Sequence, residues 1–516
     1  MKGFHKAMAL GLAVILVGGL SSCKSAPASA DAELIDDIDE ITEDIIYEWD
    51  DLPDMDLLEM VTEPFELPDI EEPIELEAEF SDDEFENKTV KWLAHFDPWS
   101  RSVITGEQCS EETMGAELFD EIYGGEIQWY SATWDSRFSD LEAYILGGEG
   151  IDLFTGIRGT PKCVLDRTVQ SYDRYVDWDD PLWSSVKDLN DPFAIDGKHY
   201  LINCQEKIDS AVFYNMDIIR ENGLDDPWEL YKSGRWTMGK FMEMMEEYAD
   251  GRDGRYGLGS YFNSSAQTRL YLSGGVSPVS MRNGRLVNNI DTPAFEQAMD
   301  YQFELYRLGL VLDDNMPLGH NRTADNNILK NGEVLFYVAD TDFPSSDPTI
   351  DLESLGIAPM PRDEQADRYY HPMDVYGYYL CQGAENPMGA IKLTECVIAS
   401  RNDETIQAQI RDFYKTEYNY PDELFERIYE IRRLARENPS FDILPGLPDD
   451  IAFILDNLIY KQIDKDNWTA ARESVSGTLD MLIGEANFRL DAVSGQFDNT
   501  YNTQSDQGWR DDLWIS

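Results

Sequence analysis

Histidine is scarce in this 516-residue chain: His5, His95, His199, His320 and His371 are all there are. None stands in an H-E-x-x-H pair, which argues against a zinc hydrolase built on that motif. Cysteine is nearly as sparse. Beyond Cys23 there are Cys109, Cys163, Cys204, Cys381 and Cys396, with no C-x-x-C pair, so neither a disulfide framework nor a zinc site is expected. Walker loops, G-x-S-x-G elbows and dinucleotide-binding glycine fingerprints are missing as well. DKDNWTAARE at 464–473 begins like a calcium loop but lacks the glycine and the terminal glutamate at the right offsets, and no metal or cofactor is expected. Missing motifs leave glycoside hydrolysis open, because its two carboxylates are recognised by their separation in space.

Basic charge is the next shortage. Lys and Arg number 41 against 101 Asp and Glu, for a net charge of −60. Without a basic surface to neutralise phosphates, nucleic acid is excluded as a partner. Long apolar runs are also missing. Met8–Leu20, behind Lys2 and Lys6, holds 13 mostly apolar residues, short of the roughly 20 that cross a bilayer but suited to a secretion signal. It closes on Leu20-Ser21-Ser22-Cys23, which resembles the lipobox of bacterial lipoproteins. That resemblance implies cleavage after residue 22, acylation of Cys23, and attachment to the outer face of the bacterial cell membrane. A plain secretion signal that happens to contain a cysteine is the alternative.

What is abundant is acid, unevenly spread. Asp31–Asn87 carries 26 Asp and Glu, no Lys or Arg, and several prolines. Like charges at i,i+4 oppose a helix there, and residues 23–87 read as a disordered, self-repelling tether, with capture of a cationic partner as a second reading. The rest of the chain is then left with a charge of roughly −34, which makes an anionic solute less comfortable, although Arg158 leaves room for one. Residues 493–516 are polar and read as a flexible tail.

From Lys88 onward strand-like runs (88–94, 126–133, 151–157) alternate with helical patterns (111–123, 136–146), a β-α-β-α-β series that implies a parallel sheet covered on both faces. A second series follows from Phe213, with helices at 217–222, 237–249 and Thr292–Leu308 and strands at 256–262 and 333–340. In such sheets ligands sit beyond the carboxyl ends of the strands. The loops there are HFDPWSRS (95–102), TWDS (133–136) and IRGTPK (157–162). Two exposed tryptophans at successive loop tips ask for something to cover them.

AVFYNMDIIRENGLDDPWELYKSGRWTMGKFMEMM (211–245), LKNGEVLFYVAD (329–340), LGIAPMPRD (355–363) and VYGYYLCQGAENPMGAIKLTECVIAS (375–400) resemble, in order, segments of the family 1 extracellular solute-binding proteins, the receptors of sugar-type ABC importers. The resemblance implies a two-lobed α/β, periplasmic-binding-protein-like fold with discontinuous lobes joined by a hinge. One lobe would comprise 88–210 plus 370–404, the other 211–369 plus 405–492. It implies a monomeric, non-enzymatic receptor that takes a mono- or oligosaccharide between its lobes and hands it to an ABC permease. A lipid-anchored carbohydrate-active enzyme and a non-transport sensing or adhesion module are the alternatives.

Sugar binding needs aromatic rings to stack on pyranose faces and planar polar groups for hydroxyls. The candidates are Asp97, Trp99, Trp134, Asp135 and Arg158 from the first lobe, Tyr261, Asp340, Asp342 and Phe343 from the second, and Tyr376 from the returning segment. Tyr214-Asn215 reads as a hinge element, Thr237 as a helix N-cap behind a packed Trp236, and Gly377 as a site of close backbone approach.

Overall fold

The structure is a computed structural model and describes residues 87–95, 110–204, 210–249, 254–260, 263–312, 327–345, 349–366, 368–459 and 465–497. Cys23, the acidic segment before Asn87, Asp97, Trp99, Tyr261 and residues 498–516 lie outside the described residues.

The first series forms as its patterning predicts: β1 (Thr89–Ala94), α1 (Glu111–Tyr123), β2 (Glu126–Ser131), α2 (Arg137–Gly147) and β3 (Leu153–Ile157). Ser110 caps α1 by accepting from the Thr113 amide, and Gly124 and Gly148 end α1 and α2 in left-handed conformations that favour glycine. After β3 the chain passes through short helical turns and enters β4 (Ala211–Asn215). The second series is α3 (Met238–Ala249), β5 (Tyr256–Ser260), α4 (Asn263–Ser273), the hairpin β6 (Val279–Arg282) and β7 (Arg285–Asn288), α5 (Pro293–Arg307), β8 (Val334–Ala339) and β9 (Leu355–Ala358). The chain returns through β10 (His371–Asp374) and β11 (Tyr376–Leu380) to α6 (Pro387–Asn402), α7 (Glu404–Glu417), α8 (Asp422–Glu437), β12 (Pro439–Asp442), α9 (Asp449–Ile459) and α10 (Lys465–Phe497).

Two four-stranded sheets result, in the orders β11-β3-β1-β2 and β5-β8-β4-β9, and β10 pairs with β12 in a short parallel ribbon. In the first sheet β1 runs parallel to β2 and β3, and the returning β11 is antiparallel to β3. In the second, β4 arrives antiparallel to both β8 and β9, whereas β5 and β8 are parallel. Each sheet is central to one lobe. Trp92 closes the first core and satisfies its indole N–H on Thr155 Oγ1 at 2.6 Å; Trp236 does the same in the second on the Pro359 carbonyl at 2.8 Å. Buried indoles need such partners.

Several local readings hold with their reasons sharpened. Thr237 Oγ1 accepts from the Lys240 amide, as an N-cap should. Asn215 is structural, but by capping: its side chain accepts from Asp217 and Ile218, and its φ of −87° is ordinary. A Cβ on Gly377 would stand 2.1 Å from the Ile202 carbonyl oxygen, so β11 approaches residues 201–202 too closely for any side chain.

Two expected boundaries move. Ile406 and Ile410 of α7 belong to the first lobe's core with β1, α1 and α6, so the chain does not leave that lobe at 404. α9 and α10 pack in a cluster shared by Leu141, Phe154 and Val164 of the first lobe and Tyr271, Phe295 and Phe303 of the second. The expected tail from 493 is helical as far as Phe497, and Val493 is buried. Its apolar side chain reaches the shared core, which local polarity does not reveal.

Gly377→Ala should lower unfolding free energy by about 1–3 kcal/mol in urea titration, because the obstacle is backbone that cannot rotate away. His371 yields a second expectation. It is fully buried on β10, its Nδ1 donating to the Pro372 carbonyl at 3.1 Å, and burial pushes its pKa down to about 4 from 6.5. The native state therefore binds fewer protons than the unfolded chain between those values, so this contribution is full above pH 6.5 and is lost as pH falls towards 4. His371→Phe should flatten the stability profile over that window in denaturant titrations; an unchanged slope would place the acid sensitivity elsewhere.

Candidate functional site

The carboxyl end of β3 delivers Arg158, where the first sheet meets the β10–β12 ribbon. Its φ of 64° is left-handed, a conformation that disfavours a side chain and is held here by the surroundings. The Arg158 amide donates to the Val375 carbonyl at 2.7 Å, and its Nε donates to Asp374 Oδ1 at 2.6 Å. Thus the loop after β3 is tied to the point where the chain passes from β10 into β11. Asp442, at the end of β12, lies in the field of Arg158, of Asp374 and of Arg269 from α4. Burial, opposed by the two arginines, pushes its carboxyl above the ordinary range. Arg158, from a strand end of the first sheet, and Arg269, from the helix that follows β5 of the second, thus act on one buried acid. Gly446 closes this floor, with the Thr160 carbonyl oxygen only 2.2 Å from where its Cβ would be.

The first lobe's wall rises from the ends of β1 and β2. Trp134 is 44% exposed. Its ring meets His95 edge-on at 5.0 Å and carries the Arg137 guanidinium at 3.9 Å from its centroid. Arg137 is buried between Trp134 and Phe138 and donates from Nη1 to the Trp134 carbonyl. Burial, helped by Arg137, pushes His95 down to about 4, so it is neutral at physiological pH. Asp135 is exposed at the tip of the same loop.

Of the expected residues, the structure brings Trp134, Asp135 and Arg158 to one end of the first sheet. Asp340 closes a turn by accepting from the Asp342 amide at 3.1 Å, and Asp342 lies close enough to Tyr420 to act on its hydroxyl. Phe343 is a correction. It is 4% exposed and packed on Phe213 and Tyr337 at 4.9 and 5.1 Å, so it is core and offers no face for stacking. Tyr376 is likewise buried in β11 and donates its hydroxyl to Glu112 at 3.0 Å, which makes it a brace of the strand end and removes it as a stacking platform.

Sequence reasoning missed Arg137, His95, Arg269, Asp374 and Asp442. Arg137 carried the one usable signal, standing two residues after a flagged aspartate at a strand-end loop. Among the described residues no group of three His, Cys, Asp or Glu is placed to hold a metal ion. Cys163, Cys204, Cys381 and Cys396 are buried free thiols, Cys163 pushed by burial up to about 12, so they pack and do not react.

No protein-family profile matches the chain, and no curated protein is similar to it in sequence. Solved structures are similar in fold. The sugar-binding protein MalE of Xanthomonas citri has a TM-score of 0.56 at 15% identity, over 80% of this chain and 99% of its own. The galacto-N-biose/lacto-N-biose I-binding protein of a Bifidobacterium longum ABC transporter, solved with lacto-N-biose, has a TM-score of 0.54 at 14% identity, covering 81% of this chain and 99% of that one. The ABC substrate-binding protein Lmo0181 of Listeria monocytogenes, in complex with cycloalternan, has 0.52 at 12%, covering 79% and 99%. The chain therefore has the two-lobed, periplasmic-binding-protein-like α/β fold that the ordered sequence segments implied. At these identities the likeness is one of fold, and function must be argued from this chain's own residues.

Asp374→Asn removes the charge of the carboxylate to which Arg158 Nε donates in a largely buried place. The expected loss is about 2–3 kcal/mol in urea titration, and Arg158→Met with Asp374→Leu should recover most of it. Additive losses in that cycle would mean that the pair is not the tie described.

Proposed function

We propose that the protein is a lipid-anchored receptor that captures a mono- or oligosaccharide between its lobes and delivers it to an ABC permease as a non-enzymatic monomer. The observation that carries this reading is the meeting of Arg158, from the first sheet's strand end, and Arg269, from the helix after β5, around Asp442, with the exposed indole of Trp134 at the same end of the first sheet. Such a place offers a ring to stack on a pyranose, charged groups for hydroxyls, and two bodies able to exclude water by closing. The sugar and oligosaccharide ligands named for the similar structures support the substrate class. Attachment through Cys23 rests on the lipobox-like LSSC and on the acidic spacer behind it.

A thermal-shift screen of the full chain against sugars and oligosaccharides tests this. A ligand at 100 times its Kd should stabilise the protein by about 2.7 kcal/mol. Trp134→Ala should weaken binding about tenfold or more while moving the unliganded melting temperature little, since the ring is half exposed. A sugar consumed during the assay would establish the enzyme alternative, and no shift across a broad panel would remove the receptor reading.

A further inference from the structure

Among the described buried charges at the strand ends of the first sheet, Arg137 has no ion-paired carboxylate. It is 6% exposed, its guanidinium lies 3.9 Å from the Trp134 ring centroid and 4.4 Å from that of Phe138, and Nη1 donates to the Trp134 carbonyl. Its Nε is buried with no hydrogen-bond partner, and among the described residues no carboxylate forms an ion pair with it. The other arginines there are differently placed. Arg158 has Asp374 at 2.6 Å, and Arg269 shares the field of Asp442.

Burial disfavours the Arg137 charge most and Arg158 disfavours it further, while the exposed Asp135 in the same loop opposes them without forming an ion pair. Arg137 is also the first residue of the 11-residue helix α2, where unsatisfied amides place partial positive charge beside a side chain that is itself a cation. His95, neutral at physiological pH, adds no compensation. Flat aromatic faces stabilise a guanidinium but do not replace an anion in a desolvated place. Two cations and a helix start thus surround a position at the strand ends of the first lobe, the side of the sheet where ligands sit in this kind of fold.

We infer that the solute taken by this cleft is an anionic saccharide, its carboxylate, sulfate or phosphate group seated against the Arg137 guanidinium and its ring against Trp134. This inference rests on the receptor reading above. It also reverses an expectation drawn from net charge. An overall charge of −60 is screened beyond about 8 Å at physiological salt, whereas the local excess at Arg137 is buried and barely screened. The group expected to receive an anion, Arg158, is already engaged by Asp374, and the one with no ion-paired carboxylate among the described residues is Arg137.

Calorimetric titration of the full chain with matched pairs tests this: tri-galacturonate beside its methyl ester, a sulfated disaccharide beside the unsulfated one, and a sugar phosphate beside the free sugar. At least one acid should bind about tenfold or more tightly than its uncharged counterpart and weaken with added salt. Arg137→Gln should cost that acid about 10- to 100-fold, the worth of a charge-assisted hydrogen bond, and change the neutral partner less than threefold. Arg137→Met should leave the unliganded melting temperature equal or higher, because it removes a cation the protein does not balance. Neutral sugars binding as tightly as the acids, or equal losses for both on Arg137→Gln, would overturn the anion inference and leave the receptor reading intact. A fall of several degrees in the unliganded Arg137→Met protein would likewise overturn it, by showing that the charge is balanced internally. If no member of the panel binds, the inference and the receptor reading fall together.

Discussion

The ion pair between Arg158 and Asp374 is the constraint that holds the returning chain and its ribbon against the first sheet. Each partner sits at a junction in the chain. Arg158 stands where β3 ends and the first lobe opens into its loop, and Asp374 where the ribbon strand β10 gives way to β11. Joined at 2.6 Å and backed by the Arg158 amide on the Val375 carbonyl, they fix the returning chain against the first sheet. The left-handed backbone at Arg158 persists because both bonds require it. A buried pair of this kind contributes little net stability but a great deal of position. Here the position matters, because the same two side chains form the floor on which Asp442 and Arg269 meet.

Around that floor, charges are organised by burial more than by number. The chain carries a large acidic excess, yet the described residues around Arg158 include two further buried arginines, Arg137 and Arg269, and two buried aspartates, Asp374 and Asp442. Lobe closure around a solute would remove the remaining water and strengthen each of these interactions. A guanidinium stacked on an exposed indole is well suited to that change. If an anion is taken there as proposed, the burial that disfavours the free guanidinium would favour the bound anion. The helices α9 and α10, packed against residues of both lobes, add a contact through which movement of one lobe is felt by the other.

The two sheets were legible in the sequence because their strands are short, apolar and separated by helices of clear period, as in TVKWLA, EIQWYS and VLFYVA. The Thr237 cap and the close approach at Gly377 were legible because each follows from one residue's chemistry. Membership of α7 in the first core was not, since Ile406 and Ile410 look the same whichever lobe they face. Phe343 and Tyr376 misled for a related reason: position after or at a strand end says where a ring begins but not whether the protein covers it. Asp374 and Asp442 were invisible among 101 acidic residues, because what marks them is burial beside arginines more than 100 residues away in the chain. Arg137 was hidden by sitting at a helix start, where an arginine reads as an exposed surface residue.

The proposed closure on a ligand is measured most directly by the distance between the lobes. Leu146 on α2 is 89% exposed, and Asp217 on the helix after β4 is exposed on the other lobe. Spin labels on Leu146→Cys and Asp217→Cys, read by pulsed dipolar spectroscopy, report that separation without disturbing the cleft. A saccharide that binds should narrow the distance distribution and shift its population to a single closed value, with the shift saturating at the same concentration as binding. A distribution that stays unchanged while the saccharide is demonstrably bound would contradict the account.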